Sequence, residues 1–142
     1  MLDRRLKTII LIYLWVALIE DTLLFLMAWA APGTWFRVFH GSIPAGLETA
    51  LLRRSAGQWA AFALAQALTL WRWKRNPVWL PVCAGVRLSD LFTDVSYVLA
   101  VPALTNAGWI LLLPPPFLNL AGVVIMLLGY RQASRAAGST GH

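Results

Sequence analysis

The sequence predicts an all-α protein, an integral membrane four-helix bundle, and three observations carry that expectation. Of the 142 residues, 59% are hydrophobic and only 13% charged, with a mean hydropathy of +0.66; a soluble domain carries roughly 25% charge. Apolar runs of about 20 residues, the length at which a helix crosses hydrocarbon, recur along the chain. The basic residues sit at the ends of these runs rather than in one patch. That placement argues against a nucleic-acid partner in spite of the net charge of +6, and names the lipid bilayer as the chain's surroundings. Residues 1–135 are expected to form a single domain, and 136–142, AAGSTGH, a short disordered tail.

The first span covers about residues 6–31 and ends at Pro32-Gly33, a stop signal for a helix. Its apolar stretch from Thr8 to Ala31 is longer than the ~7–15 residues of a signal-peptide core and carries two acids, so it is expected to be retained rather than cleaved. The following segment, GTWFRVFHGSIPAG, reads as a loop whose Trp35, Phe36 and Phe39 suit the headgroup level. The second span, about 50–71, is rich in alanine and lets a neighbouring helix approach closely. The third covers about 78–101 and ends at Pro102. For the fourth, about 107–130, Pro114-Pro115-Pro116 interrupts the apolar run, giving either a short last helix or a re-entrant segment before it.

Orientation follows from lysine and arginine. Eight of the twelve lie at the N-terminus (Arg4, Arg5, Lys7), in the loop after span two (Arg72, Lys74, Arg75) and in the tail (Arg131, Arg135). Arg37, Arg53 and Arg54 lie on the other side. Both termini are therefore expected in the cytoplasm, and the chain in the inner (cytoplasmic) membrane as a multi-pass protein. Trp71, Trp73 and Trp79 would flank the cytoplasmic loop, with Trp35 and Trp109 on the far side. Cys83 is the only cysteine, which excludes an intrachain disulfide and a cysteine-rich metal site.

The chemistry concentrates inside the spans. Four of the six acids, Glu20, Asp21, Asp90 and Asp94, fall within predicted helices, where an ionised carboxylate facing lipid costs about 2.5–3.5 kcal/mol or more. Arg87, Asp90 and Asp94 are spaced i, i+3, i+7 and share a helical face, which Tyr97 extends. At 1.5 Å per residue, Glu20 and Asp90 both lie ~18 Å from the cytoplasmic edge of their spans, Gln58 ~20 Å and Asn119 ~17 Å. Each span thus contributes a polar group to one level near the bilayer midplane. One arginine does not neutralise four acids, so some of them hold protons, or the site admits water or a cation.

These residues support a site with Glu20, Asp21, Asp90 and Asp94 as candidate catalytic acids and bases. Arg87, Gln58, Asn119, Tyr13, Tyr97 and Trp59 are its candidate ligand-binding groups. The expected ligand is a small lipophilic molecule, terpenoid, quinone or sterol-like, held by its polar end. The chemistry would be isomerisation, cyclisation or hydration. Competing readings are interhelical hydrogen bonding that fixes assembly with a membrane protein partner or a second copy, and a proton or cation relay. No cofactor or metal is implied: His40 reads as loop polarity, His142 is terminal, and no metal-ligand spacing, nucleophile triad or phosphate loop is present.

The stretches LLRRSAGQW, RWKRNP, AGVRLSD and PPFLNLAGVVIMLLGYR, between Leu51 and Arg131, resemble the small four-helix bacterial membrane proteins grouped as DoxX-like. The resemblance implies a four-helix fold and an association with redox or quinone-linked systems. It does not extend to the first span and its Glu20-Asp21 pair. Four-helix membrane sterol isomerases, with acids and tryptophans around a cavity, offer an analogy of architecture only.

Overall fold

A computed structural model describes residues 3–101 and 103–138, and among them every regular element is helical. The elements are α1 (Arg4–Ala30), α2 (Pro32–His40), α3 (Gly46–Arg72), α4 (Trp79–Ala100), α5 (Asn106–Leu112) and α6 (Pro114–Gly138). Two stretches are long and apolar enough to cross a membrane: Arg4–Ala30, and Asn106–Arg135, which joins α5 and α6.

Local chemistry sets the helix ends. The Asp3 carboxylate caps α1 by accepting from the Arg5 amide at 3.3 Å. Pro32 closes α1 and also opens α2, because a proline in a first turn forfeits no hydrogen bond. The segment expected to be a loop is therefore a helix as far as His40. It ends at Gly41, whose φ of 64° is left-handed, so the glycine amide reaches the Arg37 carbonyl at 3.2 Å. Glu48 reaches back to the Ala45 amide at 2.6 Å and starts α3 four residues before the expected edge. The triple proline does not shorten the last helix: it forms the first turn of α6, which continues to Gly138, with the break at Leu113. Residues 136–138 of the expected tail are helical, and 139–142 lie outside the described residues.

Helix α1 lies along α3 and also meets α6; α4 lies along α6 and also meets α3. At one end Ile10, Leu14, Trp73, Leu80, Cys83 and Met126 form an apolar core. There the Asp3 amide donates to Gln132 at 3.3 Å, so the start of α1 and the late part of α6 are neighbours. At the other end Ala28, Trp35, Phe39, Leu52 and Ala56 form a second core. The Thr105 amide donates to the Phe39 carbonyl at 2.9 Å and ties the start of α5 to α2. Trp35 and Phe39 are 4% exposed and Trp73 is 3% exposed, so these three pack inside instead of marking headgroup levels. In α2 the positions 35, 36 and 39 share a face, and folding back on α1 and α3 buries it.

Close approach of α1 and α6 depends on Gly122. A β-carbon there would fall on the Tyr13 ring and hydroxyl, which sit against the α6 backbone. Two helices turn apolar side chains outward. Ile9, Ile12, Val16, Ile19, Leu23 and Leu26 recur every three or four residues down α1, each about half exposed or more. Leu88, Phe92, Val95 and Leu99 do the same on α4. The ionisable and amide side chains Asp21, Gln66, Arg87, Asp90 and Asn119 are inside.

Candidate functional site

Between the two apolar cores lies a polar waist assembled from four helices. Helix α4 contributes Arg87, Asp90, Asp94 and Tyr97 from one face. Adjacent residues on a helix diverge by about 100°, so α1 turns only one of its two acids fully inward. Asp21 is 1% exposed, while Glu20 is half-buried at the edge of the same space. Helix α3 supplies Gln66 and α6 supplies Asn119.

Arg87 is the hub. Its Nη2 donates to Asp21 Oδ2 in a buried ion pair. Its Nη1 donates to Asn119 Oδ1 at 2.9 Å and stands 3.4 Å from Asp90 Oδ2. The guanidinium carbon lies 5.6 Å from the centre of the Phe62 ring, a contact of the cation–π kind. Gln66 Nε2 donates a second hydrogen bond to Asp21 Oδ2 at 2.5 Å. Asn119 Nδ2 donates to Asp90 Oδ2 at 3.0 Å and to Asp94 Oδ2 at 2.8 Å. The Asn119 amide is thus oriented by charge, its oxygen to the cation and its nitrogen to two carboxylates. Arg87 Nε and Gln66 Oε1 are buried without a partner among the described residues.

Glu20, Asp21, Asp90 and Asp94 line a cavity of about 50 Å³ together with Trp35, Trp59 and Tyr97. Trp35, Trp59, Asp94 and Tyr97 also line a second, larger cleft of about 580 Å³. Asp94 is thus the one acid of the four that lines both spaces; the larger is bounded by α2, α3 and α4, and its remaining walls include Phe36, Leu51, Leu52, Val101 and Leu112. Trp35 stacks at 5.3 Å from Trp59 and edge-on at 4.6 Å from Phe39, which fixes both indoles over the junction.

A second polar pair stands on the cleft wall. His40 Nδ1 lies 3.3 Å from the Ala103 carbonyl, and His40 Nε2 lies 2.6 Å from the Tyr97 hydroxyl. A carbonyl only accepts, so Nδ1 carries the proton and Nε2 accepts from the tyrosine. Sequence reasoning assigned His40 to loop polarity and missed this bond. It joins positions 57 apart in the chain and forms because residues 32–40 are a helix folded back against α1, α3 and α5, which brings its last residue to Tyr97.

The structure brings together Asp21, Arg87, Asp90, Asp94 and Asn119, with Glu20, Tyr97 and Trp59 lining the adjoining space. Two of the expected ligand-binding residues stand outside the ion-paired network. Gln58 is half-buried on the cleft wall, away from the ion pair, and the glutamine that binds Asp21 is Gln66, eight residues on. Tyr13 lines neither space: its hydroxyl donates to the Leu118 carbonyl of α6 at 3.2 Å, and its ring packs beside the Ile10–Leu14 core.

Among the described residues no three histidine, cysteine, aspartate or glutamate side chains are gathered as metal ligands. Cys83 is free and buried in the first apolar core. Chemically, the waist offers four carboxyl groups, one guanidinium and a tyrosine–histidine pair at the end of an aromatic-walled cleft. It suits holding a polar headgroup and exchanging a proton with it. Set against family models, curated proteins and solved structures, the chain has no match.

Proposed function

We propose that this chain is a multi-pass protein of the inner membrane, a four-helix bundle of α1, α3, α4 and the α5–α6 unit with both termini in the cytoplasm. In this reading it binds a small lipophilic molecule by its polar end. The apolar residues turned outward on α1 and α4, around an interior that holds the charges, support the bilayer setting. The bias of lysine and arginine to the N-terminus, the α3–α4 turn and the late part of α6 supports the orientation.

The observation that carries the reading is that the two spaces adjoin, sharing Trp35, Trp59, Asp94, Tyr97 and Leu112 as walls. A cleft of about 580 Å³ is of ligand size, is walled mainly by aromatic and aliphatic side chains, and reaches Asp94, which also lines the small cavity with the other three carboxyl groups. Asp21 and Asp90 are ion-paired to Arg87, whereas Glu20 and Asp94 have no cationic partner among the described residues. Acids in two different settings side by side suit general acid–base chemistry on the ligand, with Asp94 or Glu20 giving a proton and an ion-paired neighbour accepting one. Arg87, Asn119 and Gln66 are positioning residues that aim the carboxylates.

Native mass spectrometry on protein extracted in mild detergent tests the reading. A lipophile released from the wild type and absent from Asp90→Asn and Glu20→Gln, with both variants folded and monodisperse, is the expected result. If the wild type releases none and the same variants lose monodispersity or a co-purifying subunit, the cluster serves assembly and the binding reading is wrong.

A further inference from the structure

We propose that the polar end of the bound lipophile is a cation, an alkylammonium group seated at the junction of the two spaces among Asp94, Glu20 and the Trp35–Trp59 pair. This rests on the ligand-binding reading above and gives the ligand its chemical class.

The first argument is the supply of hydrogen-bond donors. Apart from Arg87 Nε, the donors named in the linked network point to its own acceptors. Arg87 Nη2 goes to Asp21 and Nη1 to Asn119. Asn119 Nδ2 goes to Asp90 and Asp94, and Gln66 Nε2 to Asp21. The Tyr97 hydroxyl is committed to His40 Nε2, because the other ring nitrogen donates to Ala103. What the network turns to the junction is a set of acceptors. Asp21 and Asp90, 1% and 5% exposed, each line the small cavity. Each also keeps one carboxyl oxygen, Oδ1, that takes no hydrogen bond among the described residues. A donor-bearing headgroup finds several acceptors at once.

The second argument is charge. The charged groups around the small cavity are Glu20 and Asp21 from α1 and Asp90 and Asp94 from α4, with Arg87 behind them. The guanidinium is engaged by Asp21 and Asp90, so two carboxyls lack a cation. Uncompensated carboxylates in a low-dielectric interior are stabilised by an arriving positive charge. Where they hold protons instead, a neutral amine arriving from the bilayer takes one. The O–H bond of the Asp94 carboxyl breaks, an N–H bond forms, and an ammonium–carboxylate pair remains.

The third argument is the wall. Two indoles 5.3 Å apart line both spaces, and indole faces are the preferred aromatic surface for alkylammonium groups. Beyond them the cleft follows α3 from Gln58 to Glu48. Ten residues of helix span ~15 Å, room for an alkyl chain of about a dozen carbons. Gln58 adds an uncharged amide on that wall, which orients a headgroup without repelling a cation.

The test compares N,N-dimethyldodecylamine with 1-dodecanol, which has the same chain and a neutral end, for saturable binding to the full chain in nanodiscs, with empty nanodiscs as the blank. The amine is expected to bind at least about tenfold more tightly, and that margin should collapse in Asp94→Asn, which keeps an oxygen to accept from Asn119. Glu20→Gln, at a half-buried position outside the hydrogen-bonded network, repeats the test if the first variant does not fold. Equal binding of amine and alcohol overturns the cation assignment while leaving the lipophile-binding cleft intact. Saturable binding of neither probe overturns both. An amine preference that survives in both variants refutes the proposed seat.

Discussion

Replacing Arg87 with methionine is the most informative perturbation of the waist, because the structure gives it a sign and a size. The guanidinium is 2% exposed and holds Asp21 through Nη2, Asp90 at 3.4 Å and Asn119 at 2.9 Å through Nη1. Methionine fills much of the volume and supplies no charge, so two buried carboxyls lose their only cation. Removing one partner of a buried ion pair costs about 3–5 kcal/mol, and the bond to Asn119 adds about 1 kcal/mol. A loss of ~4 kcal/mol is therefore expected. The second arm is the double variant Arg87→Met with Asp21→Leu. Removing both members of the pair takes away the stranded charge, so the double variant should recover about 2 kcal/mol relative to the single one. Reversible unfolding in mixed micelles, followed by far-ultraviolet circular dichroism and by a second probe at Trp59, measures both. A loss below about 1 kcal/mol for the single variant, or a double variant no more stable than the single, would refute the idea that Arg87 neutralises buried charge.

Three further outcomes follow from the same geometry. Asn119→Asp should be more destabilising than Asn119→Leu, by about 1 kcal/mol or more, since an added carboxylate accepts from Arg87 but turns repulsion on Asp90 and Asp94 where the amide donated; thermal denaturation of the two variants ranks them. Gly122→Ala should cost about 1–3 kcal/mol through its collision with the Tyr13 ring, and Tyr13→Ala combined with it should relieve part of that loss; a melting-temperature double-mutant cycle reads the coupling. Nitrogen NMR of His40 should report a protonated Nδ1 and an accepting Nε2, with the Nε2 resonance moving in Tyr97→Phe. An Nε2-protonated ring in the wild type would contradict the assigned pair.

Helix content was legible because apolar runs and their terminators are local features. Pro32 was legible as a stop; Asp3, Gly41 and Glu48 act just as locally but were not read, so sequence reasoning makes α2 a loop and starts α3 four residues late. The shared face of Arg87, Asp90 and Asp94 was legible for the same reason, since helical periodicity alone brings i, i+3 and i+7 together. Depth counting also placed Asp90 and Asn119 at one level, where the structure joins them at 3.0 Å. The choice between Gln58 and Gln66 was not legible. Eight residues rotate a helix about 80° beyond two full turns, and an alanine-rich α3 carries no apolar stripe to mark its inner face. Nor could the sequence separate Glu20 from Asp21, because which of two adjacent acids turns inward depends on the rotation of α1 against α3 and α6.

By itself, then, the sequence determined an all-helical chain with long apolar segments and carboxyl groups set inside them, because hydropathy and periodicity are written residue by residue. Tertiary structure alone decided the rest: Arg87 bonded to Asp21 from a different helix, Gln66 in place of Gln58, Tyr13 spent on the α6 backbone, and His40 brought to Tyr97 by the fold-back of α2. Each depends on the rotation and slide of one helix against another. Those are set by small residues such as Gly122 at close approaches and by the need of every buried charge to find a partner.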